Sequence, residues 1–144
     1  MNELSKEQFL NNFNPKNINS VWCRPNKNRV FFNMGENAYI DCKTRENAVE
    51  LFNDICDNLQ EDERFFRLDR YLINVANIED IKLEDFEAYE EYSVIILYKG
   101  KQSDIISCDN GYEANIYYGY LSRRWDDFKS NEDKKQSAEE ETFE

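Results

Sequence analysis

The chain has 144 residues, of which 30 are acidic, 18 are basic and none is histidine, giving a formal charge of -12 at pH 7. This length suits one domain, and the negative field opposes binding to DNA, RNA or anionic lipid. Without histidine, the chain lacks the common general base and metal ligand of hydrolytic triads, zinc proteases and zinc deaminases.

The first half of the chain predicts a short helix followed by three strands. Ser5 and Gln8 form a capping-box pattern for a helix over residues 5–13, which Pro15 ends. Three short apolar segments separated by turn residues then predict an antiparallel meander. These strands are residues 18–24, 29–34 and 38–42.

A longer helix is predicted over residues 44–59. Thr44 is a favourable N-cap residue, and the apolar residues after it recur at the three-and-four spacing of a buried face. They are Ala48, Leu51, Phe52, Ile55 and Leu59.

The second half predicts four strands and a last helix. The strands are residues 71–75, 78–83, 93–98 and 104–108. Asn110, with Glu113 three residues later, is again a capping pattern, and it opens a helix to about Phe128. Its buried face is expected to contain Ala114, Tyr117, Tyr118, Leu121 and Trp125.

The two halves resemble each other at an offset of 66 residues. Ile40-Asp41-Cys42 then aligns with Ile106-Ser107-Cys108, and Ala48 aligns with Ala114. This indicates two similar strand-strand-strand-helix halves, although two ordinary supersecondary elements can share such a pattern by chance.

These elements predict an α+β fold in a single domain over residues 1–129, with one antiparallel sheet or two small sheets and, as the favoured arrangement, both long helices outside a shared sheet. Residues 130–144 are acidic and almost without apolar side chains, so we expect a disordered tail. The predicted core is Phe9, Val30, Phe32, Ile40, Phe52, Ile55, Leu59, Ile95, Leu97, Ile106, Leu121 and Trp125.

The uneven distribution of charge is the strongest functional signal. Residues 1–45 have net charge +3, whereas residues 46–63 contain seven acids and no base. Five of these acids follow at intervals of four, four, three and four, so they are expected on one helix side, opposite the apolar face. This acidic row is Glu46, Glu50, Asp54, Asp57 and Glu61.

A second acidic segment, residues 79–91, has net charge -6 and includes Glu84, Asp85 and Glu87. Rows of carboxylates resemble the phosphates of a nucleic acid, so the two segments are candidate contacts for the basic groove of a nucleic-acid-handling protein. The alternative interpretation is a solvated surface that only keeps the protein soluble.

Aromatic residues are the second functional signal. The last helix contains more of them than one buried face can hold, so we expect Tyr112 and Tyr120 at its edge or outside. Exposed tyrosines often anchor protein interfaces, or they can stack nucleobases beside Arg123 and Arg124. They can equally form the rim of a tyrosine-rich core.

The last six residues, Glu139-Glu140-Glu141-Thr142-Phe143-Glu144, resemble the acidic carboxyl-terminal tips of bacterial single-stranded-DNA-binding proteins. That family usually has proline beside a final aromatic residue, whereas this chain has Thr142 before Phe143 and Glu144 after it. The resemblance implies a DNA-metabolism accessory protein that recruits partners through its tail.

Glycine and cysteine spacing exclude further sites. The four glycines do not form a phosphate-binding loop or a dinucleotide fingerprint. The cysteines are 19, 14 and 52 positions apart, which is neither zinc-ligand nor redox-motif spacing, so we expect reduced, mostly buried thiols. Catalysis by a pair of carboxylates, as in glycosidases, stays open in principle, but no pair stands out among thirty acids, so we expect no enzyme activity, no cofactor and no metal.

The composition and the amino terminus suggest where the protein acts. The amino terminus lacks a basic region followed by an apolar run, so we expect no secretory signal, no membrane association and a cytoplasmic location. Abundant Asn, Lys, Glu, Ile and Tyr suit an AT-rich bacterium or phage. The sequence thus favours a non-enzymatic inhibitor of a basic protein, of the phage anti-defence or immunity type.

Overall fold

The computed structural model describes residues 2–11 and 14–142, with side chains described for residues 3–9, 11 and 14–136. The helices are α1 (Lys6–Asn11), α2 (Arg45–Leu59) and α3 (Gly111–Thr142). The strands are β1 (Asn2–Glu3), β2 (Ser20–Cys23), β3 (Arg29–Asn33), β4 (Asn37–Asp41), β5 (Phe65–Leu68), β6 (Tyr71–Asn74), β7 (Ile78–Phe86), β8 (Glu91–Tyr98) and β9 (Ser103–Ser107). The α+β class with antiparallel sheets and a carboxyl-terminal helix is confirmed.

The chain groups into two compact units. The first extends to Asn77 and includes Gly100–Gln102, and the second consists of Ile78–Lys99 and the chain from Ser103 onward. The single domain expected over residues 1–129 stays a prediction. The boundary at Asn77 falls where a 3-10 turn leads directly into β7, so no linker rich in Gly, Pro or Ser marks it in the sequence.

A six-stranded sheet in the order β1-β4-β3-β2-β6-β5 forms the first unit. The predicted meander is confirmed, because β2, β3 and β4 pair antiparallel in chain order. The sequence analysis missed the edge strands β1 and β5, of which β1 pairs with β4 in parallel. Helix α2 packs on β2 and β3, and the ring of Phe9 on α1 lies 4.5 Å from that of Phe32 on β3.

Capping hydrogen bonds fix the starts of both helices in this unit. The Gln8 backbone N–H donates to Ser5 Oγ at 3.0 Å, and the Ser5 N–H donates to Gln8 Oε1 at 3.3 Å, which confirms the capping box. The Asn47 N–H donates to Thr44 Oγ1 at 3.1 Å, which confirms the predicted cap of α2. The predicted α1 end at residue 13 lies outside the described residues, which resume at residue 14.

The second unit is a three-stranded antiparallel sheet, β7-β8-β9, on which α3 packs through β7 and β8. The expected shared sheet under both long helices is therefore wrong, because β6 pairs with β2 in the first sheet while β7 pairs with β8 in a separate one. The predicted cap is confirmed, because the Glu113 N–H donates to Asn110 Oδ1 at 2.8 Å. Tyr98 is fully buried, and its hydroxyl donates to Asp104 Oδ2 at 2.7 Å. The phenol therefore satisfies a buried carboxylate inside this small core.

Nine of the twelve predicted core residues are buried. The prediction is wrong for Ile95, Leu97 and Trp125, which are only half-buried. In β8 the buried face belongs instead to Val94, Ile96 and Tyr98. A continuous apolar strand does not reveal which of its two alternating faces is buried, and here the packing of α3 decides it.

Helix α3 continues to Thr142, past its predicted end near Phe128. Eight of residues 130–142 are Glu, Lys, Gln or Ala, which favour helix, and Lys135 Nζ lies 3.5 Å from Glu132 Oε1 one turn earlier. Helix propensity thus accounts for a segment in which the sequence analysis expected a disordered tail.

The two strand-to-helix junctions share their geometry at the predicted offset. Cys42 Sγ donates to the Ile40 carbonyl at 3.6 Å, and Cys108 Sγ donates to the Ile106 carbonyl at 3.7 Å. Arg45 begins α2 and Gly111, 66 positions later, begins α3. The units differ in strand number and order, and duplication of one ancestral half stays a prediction.

Candidate functional site

The acidic row lies largely on one side of α2. Six buried residues hold this helix on its sheet, and they are Ala48, Leu51, Phe52, Ile55, Cys56 and Leu59. Glu46, Glu50, Asp54 and Asp57 occupy the opposite, exposed side. Glu61 is also exposed, but α2 ends at Leu59 and the Asp62 N–H donates to the Leu59 carbonyl in the following turn. The prediction that all five carboxylates share one helix is therefore wrong for Glu61.

In the part of the chain whose side chains are described, the carboxylates of the acidic row have no cationic partner. Within the described side chains, none of them has a Lys or Arg nitrogen within 4.0 Å. Lys6 and Arg45 are nearby cations, since Lys6 lines a groove with Glu50 and Asp54, and Arg45 lines one with Glu46. Neither forms an ion pair, so the row presents uncompensated negative charge to solvent.

The second acidic segment does not form a comparable row. Glu84 and Asp85 are neighbours in β7 and so point to opposite faces of the sheet, and Glu87 begins a 3-10 turn. Asp85 accepts a hydrogen bond from Asn115 Nδ2 at 3.2 Å. A Cβ on Gly111 would lie 2.7 Å from Asp85 Oδ1, so the start of α3 approaches this carboxylate closely. Asp85 therefore has a structural role within the second unit.

Tyr112 and Tyr120 are exposed on α3, with 78% and 58% of their surface accessible. Eight residues separate them, which places them about 80° apart around the helix axis at 3.6 residues per turn. The second unit also exposes Phe86, Tyr89 and Ile105, which the sequence analysis did not single out. Burial of Asp104 and Ile106 in β9 leaves Ile105 on the other face, a consequence of strand alternation.

The sequence analysis also missed a cluster of basic residues in the first unit. Arg24, Arg45, Arg67 and Arg70 line one pocket beside the first turn of α2. They come from three separate parts of the chain, since Arg67 and Arg70 share one hairpin, and no local sequence motif predicts the cluster.

The four cysteines are free thiols. Cys23 and Cys56 are buried as predicted, and Cys42 and Cys108 are half-buried. Burial raises the pKa of Cys56 and of Cys108 to about 11, so both are protonated at neutral pH and are weak nucleophiles. Across the described residues, no group of three or more Cys, Asp or Glu side chains is arranged to hold a metal ion.

Within the described residues, no helix combines the length and apolarity needed to cross a bilayer. No known protein-family profile matches the chain. A search of curated proteins likewise found no similar sequence.

Proposed function

We propose that the protein is a non-enzymatic inhibitor that binds a basic, nucleic-acid-handling protein through the acidic row. The observation that carries this proposal is the set of four exposed carboxylates along one side of α2, none of which has a cationic partner among the side chains that the structure describes. Contacts from the second acidic segment and the exposed tyrosines, which belong to the second unit, are not required for this binding.

The spacing of the row suits a groove that normally receives phosphates. Residues four apart on a helix are about 6 Å apart along its axis, so Glu46, Glu50 and Asp54 present charges at regular short intervals. The helix is fixed by its Thr44 cap and by its six buried residues, so the carboxylates are positioned before a partner arrives. Such preorganisation lowers the entropic cost of binding.

The helix bears this row at some cost to its own stability. Like charges at four-residue spacing repel by a few tenths of a kcal/mol for each contact, and intervening lysines would relieve that repulsion. A basic partner would supply the missing cations. Long-range attraction would then speed association, and added salt would weaken it.

A three-bait capture experiment tests the proposal. The baits are the wild-type protein, the variant Glu50→Lys with Asp54→Lys, and a control, Asp127→Lys with Asp133→Lys. The control reverses the same number of exposed charges on α3. We expect the wild type and the control to retain the same basic protein from the native cell, and duplex DNA to compete with it.

The affinity for the recovered partner then decides the role of the row. Loss of a partly desolvated charge pair costs about 2 to 5 kcal/mol, so the row variant should bind several orders of magnitude more weakly, with a flatter salt dependence. Equal binding by the row variant at low salt would contradict the proposal. So would a captured partner that duplex DNA does not displace.

The exposure of Tyr112 and Tyr120 favours a second candidate, a DNA-metabolism accessory protein that recruits partners through its tail and aromatic residues. Side chains of the tail from residue 137 onward lie outside those described. Truncation after Ser130 distinguishes the two candidates, because the inhibitor keeps its partner and the accessory protein loses it. Tyr112→Ser with Tyr120→Ser should likewise weaken only the second kind of complex.

A further inference from the structure

Four arginines surround a pocket of about 180 Å³ in the first unit. We call it the arginine pocket. Arg24 directly follows β2, Arg45 is the first residue of α2, Arg67 lies on β5 and Arg70 lies in the turn before β6. The rest of its wall is Cys23, Pro25, Val49, Phe52, Asn53 and Asp69.

Two of the guanidinium groups are held in place by their neighbours. Arg67 Nη2 donates to Asn53 Oδ1 at 3.0 Å, and its Nε donates to the Asp69 carbonyl at 3.3 Å. The same guanidinium lies over the Phe52 ring, 5.1 Å from its centre. Arg24 belongs to the pocket wall, but its guanidinium lies 5.4 Å from the centre of the Phe31 ring, on the face of the sheet opposite Phe52. Arg45, Arg67 and Arg70 are therefore the arginines that can meet a ligand. Stacking fixes the plane of a guanidinium and leaves N–H groups at its edge available to a ligand.

The arginine pocket is positively charged in a protein of net charge -12. Among the described side chains, no carboxylate oxygen lies within 4.0 Å of these four guanidinium groups. Asp69 is the one acid in the pocket wall, against the guanidinium groups of Arg45, Arg67 and Arg70. Burial raises the pKa of the Cys23 thiol in the wall, while Arg70, Arg67 and Arg45 act in the opposite direction. The fields of three arginines therefore converge on this wall.

We propose that the arginine pocket binds the phosphate group of a small phosphorylated molecule. Planar guanidinium groups match phosphate oxygens in paired hydrogen bonds, and several converging arginines neutralise its charge. Pockets for drug-sized ligands usually measure about 300 to 1,000 Å³, so this smaller one fits the phosphate and leaves the rest of the molecule outside.

A nucleic-acid strand fits the surroundings less well. The acidic row begins at Glu46, directly beside Arg45, and Glu46 and Glu50 share a groove with that arginine. These carboxylates and the overall charge repel a long polyanion, whereas a single phosphate in the pocket meets the arginines and one acid, Asp69. This site is independent of the proposed inhibitor function.

Isothermal titration with inorganic phosphate, pyrophosphate and glycerol 3-phosphate tests the proposal. We expect saturable binding of at least one probe. Arg45→Gln with Arg70→Gln should weaken it at least tenfold, since both side chains are exposed and their loss leaves the core intact. The matched control, Arg123→Gln with Lys134→Gln, removes two exposed positive charges from α3 and should leave the affinity unchanged. Tighter binding of glycerol 3-phosphate than of inorganic phosphate identifies a phosphoester ligand, and the reverse order identifies the free ion.

A second variant tests geometry apart from charge. Arg67→Lys keeps the positive charge but loses the planar group over Phe52, and we expect weaker probe binding with unchanged far-ultraviolet circular dichroism. The proposal is overturned if no probe binds at millimolar concentration. It is also overturned if the pocket variant and the control bind equally, or if a duplex oligonucleotide binds at these arginines more tightly than every small probe.

Discussion

Helices α2 and α3 start alike and are anchored differently. Each follows an antiparallel meander, and each has a side-chain cap that accepts from the backbone N–H three residues later. Yet α2 buries six of its 15 residues, whereas among the described side chains of α3 only Ala114 and Leu121 are buried. A strand, a cap and a helix start can thus be specified locally, while the anchoring of the helix depends on the sheet beneath it.

The largest expected difference in the free energy of unfolding is between substitutions at equivalent positions of α2 and α3. Phe52 on α2 is 1% exposed, and Tyr118, 66 positions later on α3, is half-buried. Phe52→Ala should lower the free energy of unfolding by about 3 to 5 kcal/mol, and Tyr118→Ala by less than about 2 kcal/mol. Urea unfolding followed by circular dichroism measures both. Equal losses would contradict the difference in anchoring.

The N-caps of α2 and α3 should contribute equally to stability, because the two strand-to-helix junctions have the same capping hydrogen bond. Thr44→Ala and Asn110→Ala each remove the acceptor for an N–H in the first helical turn, and each should cost about 1 kcal/mol. Native-state hydrogen exchange of the amides of each helix assigns the loss to the correct unit. Thr44→Ser keeps the oxygen and serves as the control. A cap whose removal changes nothing would show that the junctions differ.

The contribution to stability from the segment after α2 should depend on pH, whereas that from the end of α3 should not. Beyond α2, Arg64 Nε and Nη2 donate to the Asp62 carboxylate at 3.0 and 2.7 Å, and this holds the pKa of Asp62 below its usual value. A lowered folded-state pKa stabilises the protein above the unfolded pKa of about 4, and the effect is lost as pH falls through the folded pKa.

Asp62→Asn should therefore cost up to about 1 kcal/mol at pH 7, because the pair is only partly buried. The difference from the wild type should vanish in acid, which urea unfolding at several pH values measures. Asp133→Asn on α3 is the control. A loss of stability that persists unchanged in acid would rule out this ion pair as its cause.

The smallest expected change in the free energy of unfolding comes from removing the end of α3. From Lys129 to Gln136 every described side chain is exposed except half-buried Glu132, so tertiary packing adds little to this segment. Truncation after Ser130 should change the free energy of unfolding by no more than about 0.5 kcal/mol. Amides beyond Ser130 should exchange much faster than those of α2. Slow exchange there would mean that the segment is held by contacts.

Local signals in the sequence predicted much of this fold. The Ser5, Thr44 and Asn110 caps and the apolar spacing of α2 are encoded within a few residues, and all are present in the structure. The seven predicted strands are also present, with ends that differ by at most three residues.

Features that depend on distant residues were not predictable. Strand β5 is an apolar segment interrupted by Arg67 and lacks regular alternation, so only its pairing with β6 reveals it. The side of β8 that is buried depends on α3. The acidic row could be read from spacing within one helix, except for Glu61 beyond its end. The arginine pocket could not be predicted, because its arginines come together only when β2, α2 and the β5–β6 hairpin meet in the folded first unit.

The two-residue strand β1 has a consequence for the solubility of the protein. It pairs with Ala38 and Tyr39 on the outer side of β4, and the Leu4 N–H adds a hydrogen bond to the Tyr39 carbonyl at 2.7 Å. Detaching β1 would expose unpaired N–H and C=O groups along β4, and such an edge is a template for pairing with another molecule. The amino-terminal strand thus protects the edge of β4 from pairing with another molecule. An affinity tag placed at the carboxyl terminus leaves this protection unchanged.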